Sequence, residues 1–233
     1  VAMGAAGKIS SALSSIKNAI DQFTRSIHYY ELLEVAGDLE QALGRYDEAA
    51  SLYKKIAIGP PPMVVRAGRL KGDVLAAEGR HLEAITEFEK VQSVDLVGGF
   101  VEQEKMMACL GQAESLLSLG QFSEAASLIR TMLSGSHPEE VPIATTHVLL
   151  GNAYSLLGRA LAEMKQDQDA LIAYLTVDLV YGDAPETHAE ALFQLFQLWN
   201  RGGYPRRAEE VRKRLLKTYP QSTWATDLNP STK

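Results

Sequence analysis

The sequence contains little cysteine, little proline and few aromatic residues. Its single cysteine, Cys109, excludes an internal disulfide framework and a cysteine-rich zinc site. The chain has only 9 prolines and 7% aromatic residues, while 46% of its 233 residues are hydrophobic, with many alanines and leucines among them. This composition predicts a folded, largely helical protein rather than a disordered one.

Long hydrophobic runs and an excess of positive charge are missing as well. No apolar run approaches the roughly 18 residues that a membrane-spanning helix requires, so we expect no transmembrane segment. The formal net charge of −6 argues against a general nucleic-acid-binding protein, whose contact surface is usually basic. The chain starts at Val1 without a signal-like segment and becomes helical almost at once, which we interpret as a fragment of a longer protein.

The motifs of common enzymes are also absent from the sequence. It contains no nucleophile elbow, phosphate-binding loop or dinucleotide-binding fingerprint. The five histidines lack metal-ligand spacing, and Cys109 reads as a small buried residue rather than a nucleophile. We therefore expect no catalytic site, no cofactor and no metal site.

A short motif, in contrast, recurs five times. In each copy a glycine or a polar turn residue is followed five residues later by an alanine, which we predict to open an amphipathic helix. Successive alanines are 35, 41, 45 and 38 residues apart, which fits a unit of about 34 residues with short insertions. Units that stack in this way bury one another instead of enclosing a cleft. The alanines are Ala49, Ala84, Ala125, Ala170 and Ala208.

A second recurring position lies twelve residues before each alanine. It holds Gly37, Gly72, Ala113 and Gly158 in four copies and Phe196 in the fifth. Glycine inside a helix costs about 0.5–1 kcal/mol relative to alanine, so its recurrence predicts a close approach of two helices. The predicted first helices of the units are Leu32–Leu43, Val65–Ala77, Glu104–Leu119, His147–Met164 and Ala189–Asn200. The predicted second helices are Ala49–Ala57, Ala84–Val94, Ala125–Leu133, Ala170–Val180 and Ala208–Tyr219.

This pattern resembles the tetratricopeptide repeat. Its best copy contains Tyr154, Leu157, Gly158, Leu161, Ala170 and Tyr174. The resemblance implies an all-α fold, a right-handed superhelical solenoid of antiparallel helix pairs with about five repeats. We place these repeats at about residues 30–64, 65–98, 104–140, 145–184 and 187–223. Residues 1–29 would then hold a helix from a truncated preceding repeat, and residues 224–233 a C-terminal tail.

Two segments outside the regular units carry further predictions. Residues 134–140 read as a polar loop, and the helix that follows should begin early, near Pro142. Upstream, Lys8–Phe23 has apolar residues at helical spacing, which predicts an amphipathic helix that packs on the first complete repeat.

The resemblance also implies a function, a non-catalytic module that binds a protein or peptide. In this family the first helices line an inner groove, while the Lys/Asn/Arg clamp that some members use for C-terminal carboxylates is absent at matching positions here. Three groove arginines could pair with acidic groups of a partner, or they could be solvated helix charges. The expected groove residues are Glu34, Asp38, Arg66, Arg69, Asp73, Met107, Glu114, Asn152, Arg159, Phe193 and Gln197.

Other functions stay open at this stage. The chain could be a structural or oligomerisation scaffold that pairs through the Lys8–Phe23 edge, or the recruiting region of a longer multidomain protein. A basic run between Arg201 and Lys217 could bind an acidic partner or a membrane surface, or form the polar face of a terminal capping helix. The closing repeats are similar to bacterial tetratricopeptide proteins, which implies a soluble bacterial protein and favours export to the periplasm over the cytoplasm.

Overall fold

A computed structural model describes residues 2–135 and 141–228 of the chain, with side chains from residue 7 onward. The described residues form α-helices joined by short turns and contain no strand, which confirms the all-α fold class. Residues 136–140 of the expected polar loop and residues 229–233 of the expected tail lie outside the described residues. The helices are α1 (Ala2–Gln22), α2 (Tyr29–Ala42), α3 (Tyr46–Ile56), α4 (Pro61–Ala77), α5 (His81–Gln92), α6 (Gly99–Ser118), α7 (Phe122–Ser134), α8 (Ile143–Glu163), α9 (Asp167–Val180), α10 (Pro185–Arg201), α11 (Pro205–Thr218) and α12 (Thr223–Leu228).

The chain divides into two compact units, Val1–Ser115 and Leu116–Lys233, whose boundary falls inside α6. In unit 1, helix α2 packs against α3 and α4 packs against α5. In unit 2, helix α8 packs against α9 and α10 packs against α11. Each of these pairs is a first helix followed by its second helix, as the repeat predicts, and the short connections make the two helices antiparallel.

The second helices begin three residues earlier than the sequence predicted. The recurring alanine is the fourth residue of each second helix, after starts at Tyr46, His81, Phe122, Asp167 and Pro205. The prediction that the alanine opens the helix is therefore wrong. The reason is that a single left-handed residue ends the preceding turn, and the chain becomes helical two residues later.

In copies one, two, three and five that left-handed residue is a glycine. In copy four it is Lys165. The glycines have φ between +73° and +78°, and Lys165 has φ +61°. The left-handed region is unfavourable for a residue with a Cβ, so copy four carries backbone strain that the other turns avoid.

The close approach predicted at the helix glycines is confirmed in both units. A Cβ added at Gly72 would lie 2.5 Å from the ring of Phe88, and one added at Gly158 would lie 2.7 Å from the ring of Tyr174. Both rings come from the second helix of the same repeat and are fully buried. The glycine thus makes room for an aromatic ring that fills the helix pair.

Helix α1 packs on the first repeat of unit 1. Leu13 and Ile20 are buried together with Leu33 and Ile56 in one core cluster. The Lys17 ammonium also pairs with the buried carboxylate of Glu40 on α2. At the other end of the chain, the short helix α12 buries Ala225 in a cluster of unit 2, within the segment that the sequence assigned to a tail.

Candidate functional site

The first helices of unit 1 carry a cluster of five charged side chains, which we call the ion-pair row. Glu34 of α2, Arg69 of α4 and Glu104 of α6 are successively 35 residues apart in sequence. Arg69 Nη2 lies 3.0 Å from Glu34 Oε1, and Arg69 Nε lies 2.5 Å from Glu104 Oε2. The row thus ties three first helices together through one guanidinium group.

Arg66 and Asp73 complete the row. Arg66 bridges the same two carboxylates, with its Nη1 3.0 Å from Glu34 and its Nε 2.9 Å from Glu104. Its guanidinium also lies 4.5 Å from the centre of the Phe100 ring. Asp73 pairs with Arg69 at 2.5 Å, one helical turn away on α4.

Burial makes these contacts structural rather than available to a partner. The side chains of Arg69 and Glu104 are only 7% and 1% exposed. A buried charge is tolerated only when it is paired, and here each guanidinium is paired with carboxylates of the chain itself. Arg69 is therefore not a solvated helix charge, and both Arg66 and Arg69 already have acidic partners within the chain. Binding of a partner by these residues stays a prediction.

The excess of carboxylates in the row changes how its acids titrate. Burial raises the pKa of Glu34, with the carboxylates of Glu104 and Asp38 acting in the same direction and the two arginines against it. Burial likewise raises the pKa of Asp73 to about 6, although Arg69 opposes that shift. With two arginines and three acids, the row is net negative when fully ionised.

The remaining predicted groove residues of unit 1 lie outside the row. Asp38 is exposed, and its Oδ1 accepts a hydrogen bond of 2.7 Å from the Tyr53 hydroxyl. Met107 is half-buried and lies near Gln103, and Glu114 is exposed. Sequence reasoning missed Glu104 as a site residue, although the regular 35-residue spacing was a signal that could have found it.

The first helices of unit 2, α8 and α10, are joined by hydrogen bonds instead. Thr187 donates to the Asn152 side-chain oxygen at 2.6 Å, and Ser155 donates to Glu190 at 2.9 Å. These contacts again join residues 35 apart, at neighbouring positions of two successive repeats. Both of these contacts are hydrogen bonds between uncharged donors and side-chain oxygens, and they hold α8 and α10 together.

Unit 2 has a cavity of about 330 Å³ whose lining comes from α6, α7, α8, α9 and α10. Arg159, one of the predicted groove residues, is part of this lining. Of the other two in this unit, Phe193 packs on Trp224 of α12 with ring centres 5.2 Å apart, and Gln197 is exposed. The cavity is lined mainly by Leu117, Phe122, Arg159, Glu163, Tyr174 and Gln194.

Part of the basic run near the C-terminus is used inside unit 2. Arg214 pairs with Asp178 on α9, and Asp178 also contacts His188 Nε2 at 2.8 Å. Burial acts to raise the pKa of Asp178, but the hydrogen bonds from His188 and Arg214 outweigh it and hold that pKa below its usual value. Arg207 lies over the Trp199 ring at 4.7 Å. These contacts match the polar face of a capping helix better than an open basic patch.

The described residues provide no arrangement suited to metal or thiol chemistry. Within residues 2–135 and 141–228, no three His, Cys, Asp or Glu side chains are grouped as metal ligands. Burial raises the pKa of the Cys109 thiol to about 11, so it remains protonated at neutral pH. Over the same residues, no helix has both the length and the apolar character that crossing a bilayer requires.

Comparison with known families supports the repeat assignment. The family model for the tetratricopeptide repeat matches residues 34–93, which include most of α2 and all of α3, α4 and α5. Residues 34–93 of this chain are thus similar to the tetratricopeptide repeat. No curated protein sequence matches it.

Solved structures show the same fold over nearly the whole chain. PilW, described as a widely conserved type IV pilus biogenesis factor, aligns with a TM-score of 0.67 and 17% identity over 94% of this chain and 90% of its own. BtubC from P. vanneervenii aligns with a TM-score of 0.70 and 16% identity over 95% and 92%. YrrB, described as a TPR protein with an unusual peptide-binding site, aligns with a TM-score of 0.51 and 16% identity over 92% and 97%.

Proposed function

We propose that this chain is a tetratricopeptide-repeat protein and a non-catalytic interaction module that binds a peptide or protein segment along its first helices. Stacked repeats generally present such helices as an extended binding surface. The observation that carries the proposal is the cavity of unit 2, whose lining includes Arg159, Glu163 and Gln194 from the first helices α8 and α10. The likeness to YrrB, whose described feature is a peptide-binding site, supports the same class of function.

The partner should meet different chemistry on the two units. In unit 1 the arginines of the ion-pair row are neutralised by three acids, and the exposed predicted residues Asp38 and Glu114 are acidic. A segment lying on unit 1 should therefore carry basic rather than acidic side chains. In unit 2 the cavity presents Arg159, Glu163 and Gln194, which together offer both donors and acceptors.

A peptide-display selection tests this proposal. Binding sequences selected on the whole chain should bind the variants Arg159→Gln and Gln197→Ala more weakly than the original chain, because both side chains belong to first helices. The matched control is Arg130→Gln, which removes the same charge from an exposed position on the second helix α7. Equal losses in Arg159→Gln and Arg130→Gln, or losses confined to the control, would contradict binding on the first helices.

A further inference from the structure

The hydroxyl of Tyr174 is buried in unit 2 without a hydrogen-bond partner among the residues that the structure describes. The whole side chain is inaccessible to solvent, with an exposed fraction of 0%. A buried hydroxyl without a partner is unfavourable, and such groups are rare in native proteins. Its presence therefore points to a partner that binds there.

The equivalent tyrosine of the first repeat shows what is missing. Tyr53 and Tyr174 each lie four residues after the recurring alanine of their repeat, and Tyr53 donates to Asp38 at 2.7 Å. Asp38 directly follows a helix glycine, and in copy four the residue after Gly158 is Arg159. A guanidinium group has no acceptor atom, so the fourth repeat has lost the acceptor that the first repeat provides.

Tyr174 borders the cavity of unit 2. The Cζ and both Cε atoms of its ring would come within 2.9 Å of a Cβ at Gly158, so the tip of the ring lies against α8 at that residue. The cavity lining also includes Arg159, which directly follows Gly158 on α8, and Glu163, which lies about one turn further along that helix. A ligand in the cavity reaches the hydroxyl when the lining side chains above it move apart, because the hydroxyl is closed off from solvent in the unliganded chain.

The lining determines which ligand chemistry suits this hydroxyl. Burial is the main cause that raises the pKa of Tyr174, so the hydroxyl stays protonated and needs an acceptor. A carboxylate would supply one, but it would meet the charge of Glu163, and the charge of Glu190 also acts on the hydroxyl. An ammonium group has no acceptor and would meet Arg159. A neutral amide has a carbonyl acceptor for Tyr174 and N–H donors for Glu163.

We propose that this cavity binds a neutral amide group, in particular an Asn or Gln side chain of a partner polypeptide. The amide carbonyl accepts from the Tyr174 hydroxyl, and the guanidinium of Arg159, which has five donors, can serve the same oxygen beside its other contacts. The opposite charges of Arg159 and Glu163 balance, which suits a neutral group. The polypeptide source rests on the proposed function, whereas the amide chemistry rests on the cavity alone.

Three probes of similar size separate the ligand classes: propionamide, propionate and propylammonium. Each is titrated into the isotope-labelled chain while backbone amide shifts are followed by NMR. We expect saturating shifts on α8 and α10 with propionamide only, and about tenfold weaker binding in Tyr174→Phe, since the phenylalanine keeps the ring and removes the donor. The control Tyr53→Phe should bind propionamide like the original chain. Preference for either ion, absence of saturation, or unchanged binding in Tyr174→Phe would overturn the proposal.

Peptides with blocked termini identify the source of the amide. A peptide centred on Gln should bind more tightly than propionamide and more tightly than the same peptide centred on Glu. If peptides bind the first helices with no preference for Gln, the amide proposal is wrong and the proposed function stands. If propionamide saturates the site and no peptide binds, the amide site stands and the polypeptide source is wrong.

Discussion

The two units use the same structural position, the first helices, in opposite ways. In unit 1 the ion-pair row joins α2, α4 and α6 through buried guanidinium and carboxylate groups. In unit 2, α8 and α10 are joined by hydrogen bonds of Thr187 and Ser155, and both helices contribute to the lining of a cavity. The comparison teaches that one repeat fold can join its first helices by buried ion pairs in one place and by hydrogen bonds beside a cavity in another.

The largest expected effect comes from breaking the row. Arg69→Met should destabilise the protein by about 3 kcal/mol or more, because it leaves Glu104 buried with only Arg66 as a counter-charge. Ser155→Ala in unit 2 removes one hydrogen bond and should cost about 1 kcal/mol. Urea unfolding followed by circular dichroism measures both changes.

An exposed arginine provides the control for this prediction. Arg80 pairs with Glu78 and Glu83 at the surface, so Arg80→Met should leave the unfolding midpoint almost unchanged. Equal shifts for Arg69→Met and Arg80→Met would show that the ion-pair row does not stabilise unit 1.

A second pair of variants tests what the two units have in common. Gly72→Leu in unit 1 and Gly158→Leu in unit 2 should each destabilise by roughly 1–3 kcal/mol, because both side chains would enter the space of a buried ring. Gln166→Leu, at an exposed turn position, should have little effect in the same thermal unfolding experiment. A large loss in only one of the two glycine variants would mean that the helix pairs are not packed alike.

A third pair distinguishes the two tyrosines. Tyr53→Phe removes a hydrogen bond to Asp38 and should destabilise by about 1 kcal/mol. Tyr174→Phe removes a hydroxyl without a partner, so its stability should stay equal or rise by up to about 1 kcal/mol. The free energy of unfolding of the unliganded chain decides between these outcomes, and a loss in Tyr174→Phe would show that its hydroxyl is already bonded.

The smallest effect is a difference in pH dependence between two aspartates. The raised pKa of Asp73, about 6, means that the folded state binds its proton more tightly than the unfolded chain does. Its contribution to stability therefore falls as the pH rises from about 4 to 6. Asp178 has a lowered pKa, so its contribution is present above about pH 4 and is lost as the pH falls below that value.

Unfolding midpoints between pH 3 and 7 test this difference. Relative to the original chain, Asp73→Asn should gain stability as the pH rises from about 4 to 6. Asp178→Asn should be less stable than the original chain above about pH 4, and this difference in stability should disappear as the pH falls below about 4. Parallel pH profiles for the original chain and both variants would contradict the assigned environments.

The sequence was sufficient to predict the helix pairs because their packing depends on local, recurring residues. Ala170, Gly158 and Tyr174 lie at fixed spacings within one repeat, and the structure brings their positions together as expected. The starts of the second helices were misplaced because the alanine marks a buried position rather than a helix end.

The candidate site was less accessible to prediction, because it depends on which side chains meet between repeats. Arg69 occupies a first-helix position that the resemblance assigns to a groove, yet Glu104, 35 residues further on, engages it internally. The hydroxyl of Tyr174 likewise lacks the acceptor that Asp38 provides to Tyr53, a feature that appears only when the fourth repeat is compared with the first.

Hydrogen–deuterium exchange of the whole chain with and without a selected peptide tests the central claim most directly. Binding should slow exchange in α8 and α10 more than in the second helices α9 and α11, and more than in α4 of unit 1. Protection that falls on the second helices, or equally on every helix of the described chain, would contradict the account.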